Sequence, residues 1–185
     1  MARRGSRPKQ GHRHQALRIL GGTMLMLGSV LVALAILTQY AGAWGVPYFS
    51  FITDRGSTCK NGLAGYTCSA MTLADVEYIG NVDLPDDSSV VAGTYRSTYD
   101  YQMEAIVEVP AASASEALAS LNQAFGDCIK ELPSPMSTKG IRDNCVMANA
   151  DAVDESDEPS SRLYMIGTGV RKDGTRVIGM VIKSR

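Results

Sequence analysis

Residues 19–38 contain no charged side chain and consist mainly of Leu, Val, Ile, Met, Ala and Gly. Nothing else in the chain limits its fold as strongly. Twenty helical residues at 1.5 Å each cover about 30 Å, the hydrocarbon thickness of a bilayer. Lipid offers backbone N–H and C=O groups no partner, so a run of this kind must satisfy them internally, as a helix. A helix on the surface of a soluble protein keeps one polar face, and this one has none. The run therefore predicts a transmembrane helix over 19–38.

Charge then orients the helix. The 185-residue chain carries 18 Lys+Arg and 19 Asp+Glu, a net charge of -1, with a mean hydropathy of -0.04. These averages conceal a split. Arg3, Arg4, Arg7, Lys9, Arg13 and Arg18 precede the run without a single acid, giving +6, whereas the remaining 12 bases and all 19 acids lie beyond position 50, giving -7. Basic residues beside a span are retained in the cytoplasm. Residues 1–18 are thus expected to form a cytoplasmic tail, 39–58 an interfacial juxtamembrane segment, and 59–185 a domain outside the cell membrane. Tyr40, Trp44, Tyr48, Phe49 and Phe51 suit the far membrane–water interface, where amphipathic rings collect. Ala41-Gly42-Ala43 has the small residues a signal peptidase reads, so a secreted soluble factor cleaved after Ala43 is the alternative. The length of the apolar run favours an uncleaved anchor, because a signal peptide's apolar region is about 7–15 residues long. His12 and His14 are the chain's only histidines. Two ligands on a tail make a poor metal site.

Cys59, Cys68, Cys128 and Cys145 all fall beyond the helix. An even number of cysteines in an oxidising compartment reads as disulfides. The short loops favour Cys59–Cys68 and Cys128–Cys145. Closing the second loop stabilises by about 3 kcal/mol in the chain-entropy account.

The outer part reads as α+β, in the order hairpin, helix, hairpin, forming an antiparallel sheet with helix on one face. In 101–109, Tyr101, Met103, Ala105, Val107 and Val109 alternate with Gln102, Glu104 and Glu108, the period of a strand with one buried face. Residues 89–97 read as its hairpin partner. Ser113-Ala114-Ser115-Glu116 has the form of a capping box, and Leu118, Leu121, Phe125, Cys128, Ile129 and Leu132 follow at helical spacing. Gly126 weakens this run and Pro133 and Pro135 end it. A short second helix is expected over 138–147, so that the second disulfide ties two helical arms together. Residues 163–171 and 175–183 flank Asp173-Gly174, turn chemistry for a two-residue hairpin loop. That loop pairs Val170 with Val177 and Ile166 with Val181, and sets Arg171 opposite Arg176. Like charges so opposed need solvent or an anion. Arg171, Lys172 and Arg176 are therefore the candidate anion-binding residues.

Several chemistries are excluded. Without an outer histidine there is no Ser-His-Asp or Cys-His catalysis and no histidine-ligated metal. Cysteines held in disulfides supply no thiolate. Ser57-Thr58-Cys59-Lys60 matches the Ser-x-x-Lys motif of penicillin-binding proteins, with Lys172-Asp173-Gly174 in place of their Lys-Thr-Gly. That motif should open a buried helix, whereas this one sits at a cystine loop followed by Asn61-Gly62. Glu104 and Glu108 read as solvated strand residues rather than a glycosidase pair. Asp151, Asp154, Glu155, Asp157 and Glu158 lack the alternation of a calcium loop. Gly167-Thr168-Gly169 lacks the third glycine of a dinucleotide loop and reads as strand.

The stretch Trp44-Gly45-Val46-Pro47-Tyr48-Phe49-Ser50, the run Leu84-Pro85-Asp86-Asp87, the hairpin–helix core and the ending Gly169-Val170-Arg171-Lys172-Asp173-Gly174-Thr175-Arg176 together resemble small uncharacterised single-span membrane proteins of actinobacteria. The resemblance covers most of residues 44–185. It implies a bacterial cell envelope and no catalytic activity. The function expected is that of a membrane-anchored binding or accessory module, with no catalytic residue, cofactor or metal. Its expected partners are the lipid bilayer and another membrane protein or an anionic envelope component, not nucleic acid. A small carboxylate-dependent envelope hydrolase is the alternative.

Overall fold

The computed structural model describes residues 11–149 and 160–184. Helix α1 (Gly11–Tyr40) is longer than the expected span at both ends and takes in the backbone of His12 and His14. Its part from Leu20 to Tyr40 is long and apolar enough to cross a membrane, and no other described element covers it. The hydroxyls in this part turn back onto the helix. Thr23 donates to the Leu20 carbonyl at 2.9 Å, Ser29 to that of Met26 at 2.8 Å, and Thr38 to those of Leu34 and Ala35 at 3.0 Å. Bonded in this way, Ser and Thr tolerate apolar surroundings, because no hydroxyl is left without a partner.

Beyond α1, the described residues form one antiparallel sheet of eight strands. In chain order they are β1 (Ser50–Ile52), β2 (Thr58–Asn61), β3 (Tyr66–Ala70), β4 (Ser89–Ser97), β5 (Tyr101–Val109), β6 (Arg142–Ala148), β7 (Arg162–Val170) and β8 (Arg176–Ser184). Across the sheet the order is β1-β2-β3-β4-β5-β8-β7-β6. Helix α2 (Leu73–Gly80) connects β3 to β4, and α3 (Ala114–Phe125) follows β5. The architecture is thus α+β with both expected disulfides, Cys59–Cys68 and Cys128–Cys145, but the sheet is wider than two hairpins. Its first strand lies within the stretch expected to be juxtamembrane.

The alternation in β5 sets the faces. Met103, Ala105, Val107 and Val109 are buried, as are Ile178, Met180 and Ile182 of β8 and Ile166 of β7, together with Val76 of α2 and Ala117, Leu121 and Phe125 of α3. Their register partners, such as Met103 with Ile182 and Val107 with Ile178, share the helix-bearing face. Tyr164 of β7 packs its ring 4.9 Å from that of Phe125 and donates to the Phe125 carbonyl at 2.9 Å. At α2, Thr72 accepts from the Asp75 N–H as N-cap and Asn81 closes the helix in the left-handed region, φ 48°. The Arg162 guanidinium caps the same end, donating to the carbonyls of Ile79 and Gly80 at 3.0 and 2.6 Å. A cation there meets the negative end of the helix dipole.

Three local expectations are corrected. Ser113 does not cap α3: its side chain makes no cap hydrogen bond and donates instead to Asp87 at 2.8 Å. The helix stops at Phe125, where Gly126 adopts φ 85°, so Cys128, Ile129 and Leu132 are not helical. Residues 142–148 form an edge strand, not a helix, because their partner is β7: Cys145 pairs with Thr168 and Met147 with Ile166. The disulfide from Cys128 therefore ties coil to strand, beside the paired hydrogen bonds of Ile129 and Val146 at 2.9 and 2.8 Å.

The far hairpin shifts by one residue. Val170 pairs with Arg176 and Ile166 with Met180, not with Val177 and Val181. The loop holds three residues rather than two. The Gly174 N–H donates to the Arg171 carbonyl, the Arg171 N–H to the Thr175 carbonyl, and Gly174 takes φ 89°. A turn closed by a glycine in the positive-φ region is the usual three-residue solution. Such a slip exchanges the faces of every residue on the strand.

The segment 129–141 crosses the second face over β7 and β8, and glycines make its room. A Cβ at Gly167 would meet Ser134 Oγ at 2.6 Å and Pro135 Cδ at 2.7 Å, and one at Gly179 would meet Met136 Cβ at 2.8 Å.

Candidate functional site

A run of aromatic rings lies on the helix-bearing face of the sheet, on the side next to α1. Register brings Phe51 beside Cys59, Cys59 beside Cys68 and Cys68 beside Tyr95, while Tyr66 and Tyr101 lie opposite Ser97 from its two sides. The result is a ladder of rings. Phe51 meets Tyr66 edge-on with centroids 5.3 Å apart, Tyr66 meets Tyr95 at 5.8 Å, and Tyr95 meets Tyr101 at 6.4 Å. Spacings of this order are attractive for aromatic pairs. Burial raises the Tyr95 phenol above its ordinary value of 10.0, with Ser97 partly offsetting it by hydrogen bonding.

Between this ladder and α2 is an open cleft of about 380 Å³, reaching from Ala43 to Met71. Its rim carries Arg55, whose guanidinium lies 3.6 Å over the Tyr78 ring, a stacked cation–π contact. Its floor is fixed by Asp75, which is buried. The carboxylate accepts from Thr53 Oγ1 at 2.5 Å, from the Ser57 N–H at 3.3 Å and from Thr72 Oγ1 at 3.5 Å. Three donors from two loops hold this wall in place. Aromatic walls with one cation at the rim can bind a flat or apolar group.

The Ser57-to-Lys60 motif is not assembled. Ser57 is buried and its Oγ accepts from the Thr72 N–H at 2.9 Å, whereas Lys60 is exposed. Cys59 and Lys60 point to opposite faces of β2, as consecutive strand residues must.

The three candidate anion-binding residues do not come together either. The one-residue shift turns Arg176 onto the helix-bearing face, where it is 9% exposed. It donates Nε to the Ala114 carbonyl at 2.7 Å and Nη1 to Thr168 Oγ1 at 3.2 Å. Burial pushes this guanidinium below its usual value, with Asp143 acting in the opposite direction. Arg171 pairs with Glu108 at 2.6 Å, and Lys172 is exposed. Asp173 accepts from the Thr175 N–H at 3.0 Å, which holds its carboxyl below the ordinary value. Glu104 accepts from Gln102 at 2.7 Å, so Glu104 and Glu108 have separate partners.

Of the juxtamembrane aromatics, Tyr40 and Trp44 stack with centroids 6.1 Å apart and remain exposed, as do Tyr48 and Phe49. Phe51 turns into the ladder. Among the described residues no group of three or more His, Cys, Asp or Glu is placed to hold a metal ion. The acidic stretch Asp151, Asp154, Glu155, Asp157 and Glu158 lies outside the described residues. Sequence reasoning missed Arg55, Tyr78 and Asp75. The signal for Asp75 is present in Thr72-Leu73-Ala74-Asp75, a cap followed by an acid three residues later.

Fold and cleft define a class by architecture: an apolar N-terminal helix leading into a two-disulfide antiparallel α+β domain. No protein-family model, curated protein or solved structure matches the chain.

Proposed function

We propose that the protein is a single-span, membrane-anchored binding or accessory module of a bacterial cell envelope, with its N-terminus in the cytoplasm and its α+β domain outside. It acts by holding a partner membrane protein or an envelope component, and the aromatic cleft is where it does so. One observation carries this reading. The exposed apolar helix ends in a junction that belongs to the folded domain. Ala41 is buried, and Asn61 Nδ2 of β2 donates to the Gly42 carbonyl at 2.7 Å. A Cβ on Gly42 would meet the Ser50 carbonyl oxygen, so only glycine fits that approach. Cleavage after Ala43 would remove Ala41's burial and Asn61's acceptor, which supports an uncleaved anchor over a secreted factor. The basic tail supports the orientation, and the two disulfides fit an oxidising compartment. The resemblance to small actinobacterial membrane proteins agrees with an envelope setting.

The test combines intact mass with crosslinking in cells. The mass of the protein from isolated membranes should match the uncleaved chain, and protease added outside should digest the domain but spare the tail. A photo-crosslinking residue in place of Tyr78, at the cleft rim, should capture a discrete partner that one in place of Lys172 does not. A mature N-terminus at Trp44 would overturn the anchor. Equal capture from both positions would overturn the cleft.

A further inference from the structure

We propose that the end of the sheet from which α1 departs docks on the phospholipid surface, so that the domain lies against the bilayer rather than hanging from a tether. The proposal rests on α1 spanning the membrane. Strand pairing shows which loops share that end. Gly42 packs on Ser50, Ser50 pairs with Lys60, Asn61 with Tyr66, Tyr66 with Ser97 and Ser97 with Tyr101. The 62–65 and 98–100 turns are therefore neighbours of the helix exit. They also touch each other, since a Cβ on Gly65 would run into the Ser97 carbonyl.

These turns present apolar side chains that no described residue covers. Leu63 is 81% exposed and Tyr99 is fully exposed, beside the exposed Trp44 and Tyr48 of the junction. Apolar tips grouped beside a membrane helix suit the headgroup boundary, as aromatic belts do. One row further along the strands, on the second face, Lys60 lies beside Thr67, Thr67 beside Arg96, Arg96 beside Gln102 and Gln102 beside Lys183. All three cations of this row are exposed, and none is in an ion pair with a described residue. Long basic side chains reach sideways to phosphates while their stems remain on the protein. Lys172 stands at the other end, about 25 Å along the strands at 3.3 Å per residue.

The full chain, reconstituted in vesicles with bromine-labelled acyl chains, tests this by tryptophan quenching. Trp44→Phe removes the single native tryptophan, and Leu31→Trp, Leu63→Trp, Tyr99→Trp or Lys172→Trp reintroduces one at an exposed site. Tryptophan at 31 should be quenched strongly. At 63 and at 99 it should lose about half or more of its emission, and at 172 almost none. Quenching at 31 with 63 and 99 no different from 172 would overturn the docking and leave the anchor standing. No quenching at 31 would overturn the anchor and the docking with it. In phosphatidylglycerol vesicles, Lys60→Glu with Arg96→Glu should bring the quenching at 99 down about twofold or more. In phosphatidylcholine vesicles it should change little. Equal quenching with and without the charge reversals in phosphatidylglycerol would remove the basic row from the contact.

Discussion

On β2, β3 and β4, next to α1, the second face of the sheet is wet and carries Lys60, Thr67, Arg96 and Thr94. On β7 and β8 the same face is closed by the coil 129–141, and the strand residues beneath it include Gly167, Gly169 and Gly179. At these three positions the strand carries no side chain, because a Cβ and the coil would occupy the same space. The disulfides follow the same division. Cys59–Cys68 joins residues already paired across two strands, whereas Cys128–Cys145 brings the coil to the edge strand. Next to α1, the cystine locks a register and leaves the surface free. At the far side, it holds a cover down.

The sharpest way to break this comparison is to fill a notch. Gly167→Val should destabilise by about 3 kcal/mol, as overpacking of a closed site does. Thr67→Val, on the wet part of the face, should change stability by less than about 0.5 kcal/mol. Urea unfolding of the full chain in detergent, followed by near-ultraviolet circular dichroism, would measure both. Equal effects would mean that the coil does not seal the sheet.

Removing either disulfide by paired Cys→Ala changes should cost about 2.5–3 kcal/mol on chain-entropy grounds, so stability alone hardly separates them. Hydrogen exchange separates them. Loss of Cys128–Cys145 should speed exchange at Ile129 and Val146, whereas loss of Cys59–Cys68 should leave those amides protected.

Arg176→Ala should cost about 2 kcal/mol, because it leaves the buried Thr168 hydroxyl and the Ala114 carbonyl without their donor. Lys172→Ala, four residues away on the same hairpin, should be near neutral. A nearer-equal pair of values would restore the exposed basic tip that the sequence suggested.

At the junction, Asn61→Ala should weaken the domain by about 1 kcal/mol, the worth of one neutral hydrogen bond. It should also raise proteolysis between positions 41 and 49. The smallest effect concerns Tyr95. Its phenol titrates above its ordinary value when folded, so the folded state holds the proton more tightly. That contribution is complete below pH 10 and is lost as pH rises through the folded value. The wild-type protein should therefore lose stability more steeply above pH 10 than Tyr95→Phe, measured as melting temperature against pH.

Much of the fold was legible where the determining signal is local or strictly periodic. The apolar run could only be a helix. The alternation from Tyr101 to Val109 gave β5 its buried face, and the short cysteine loops gave both pairings. The capping box at Ser113 misled because Asp87, distant in sequence, takes the hydroxyl. Of the aromatic rings that wall the cleft, only Phe51 drew attention, and it was placed at the membrane. Its partners Tyr66 and Tyr95 are set beside it by strand order, which no single segment encodes.

The sequence by itself determined which segment can enter a membrane, which end of that segment carries the basic tail, and which cysteines lie close enough to join. These follow from composition and short-range spacing. Tertiary structure decided that 142–148 is a strand, because an edge strand exists only through its neighbour β7. It also decided that α3 ends at Phe125, and that Arg176 is buried rather than exposed. That last outcome turned on a three-residue loop in place of a two-residue one. Asp173-Gly174 is compatible with both, and the packing of β8 against β5 and α3 selects between them.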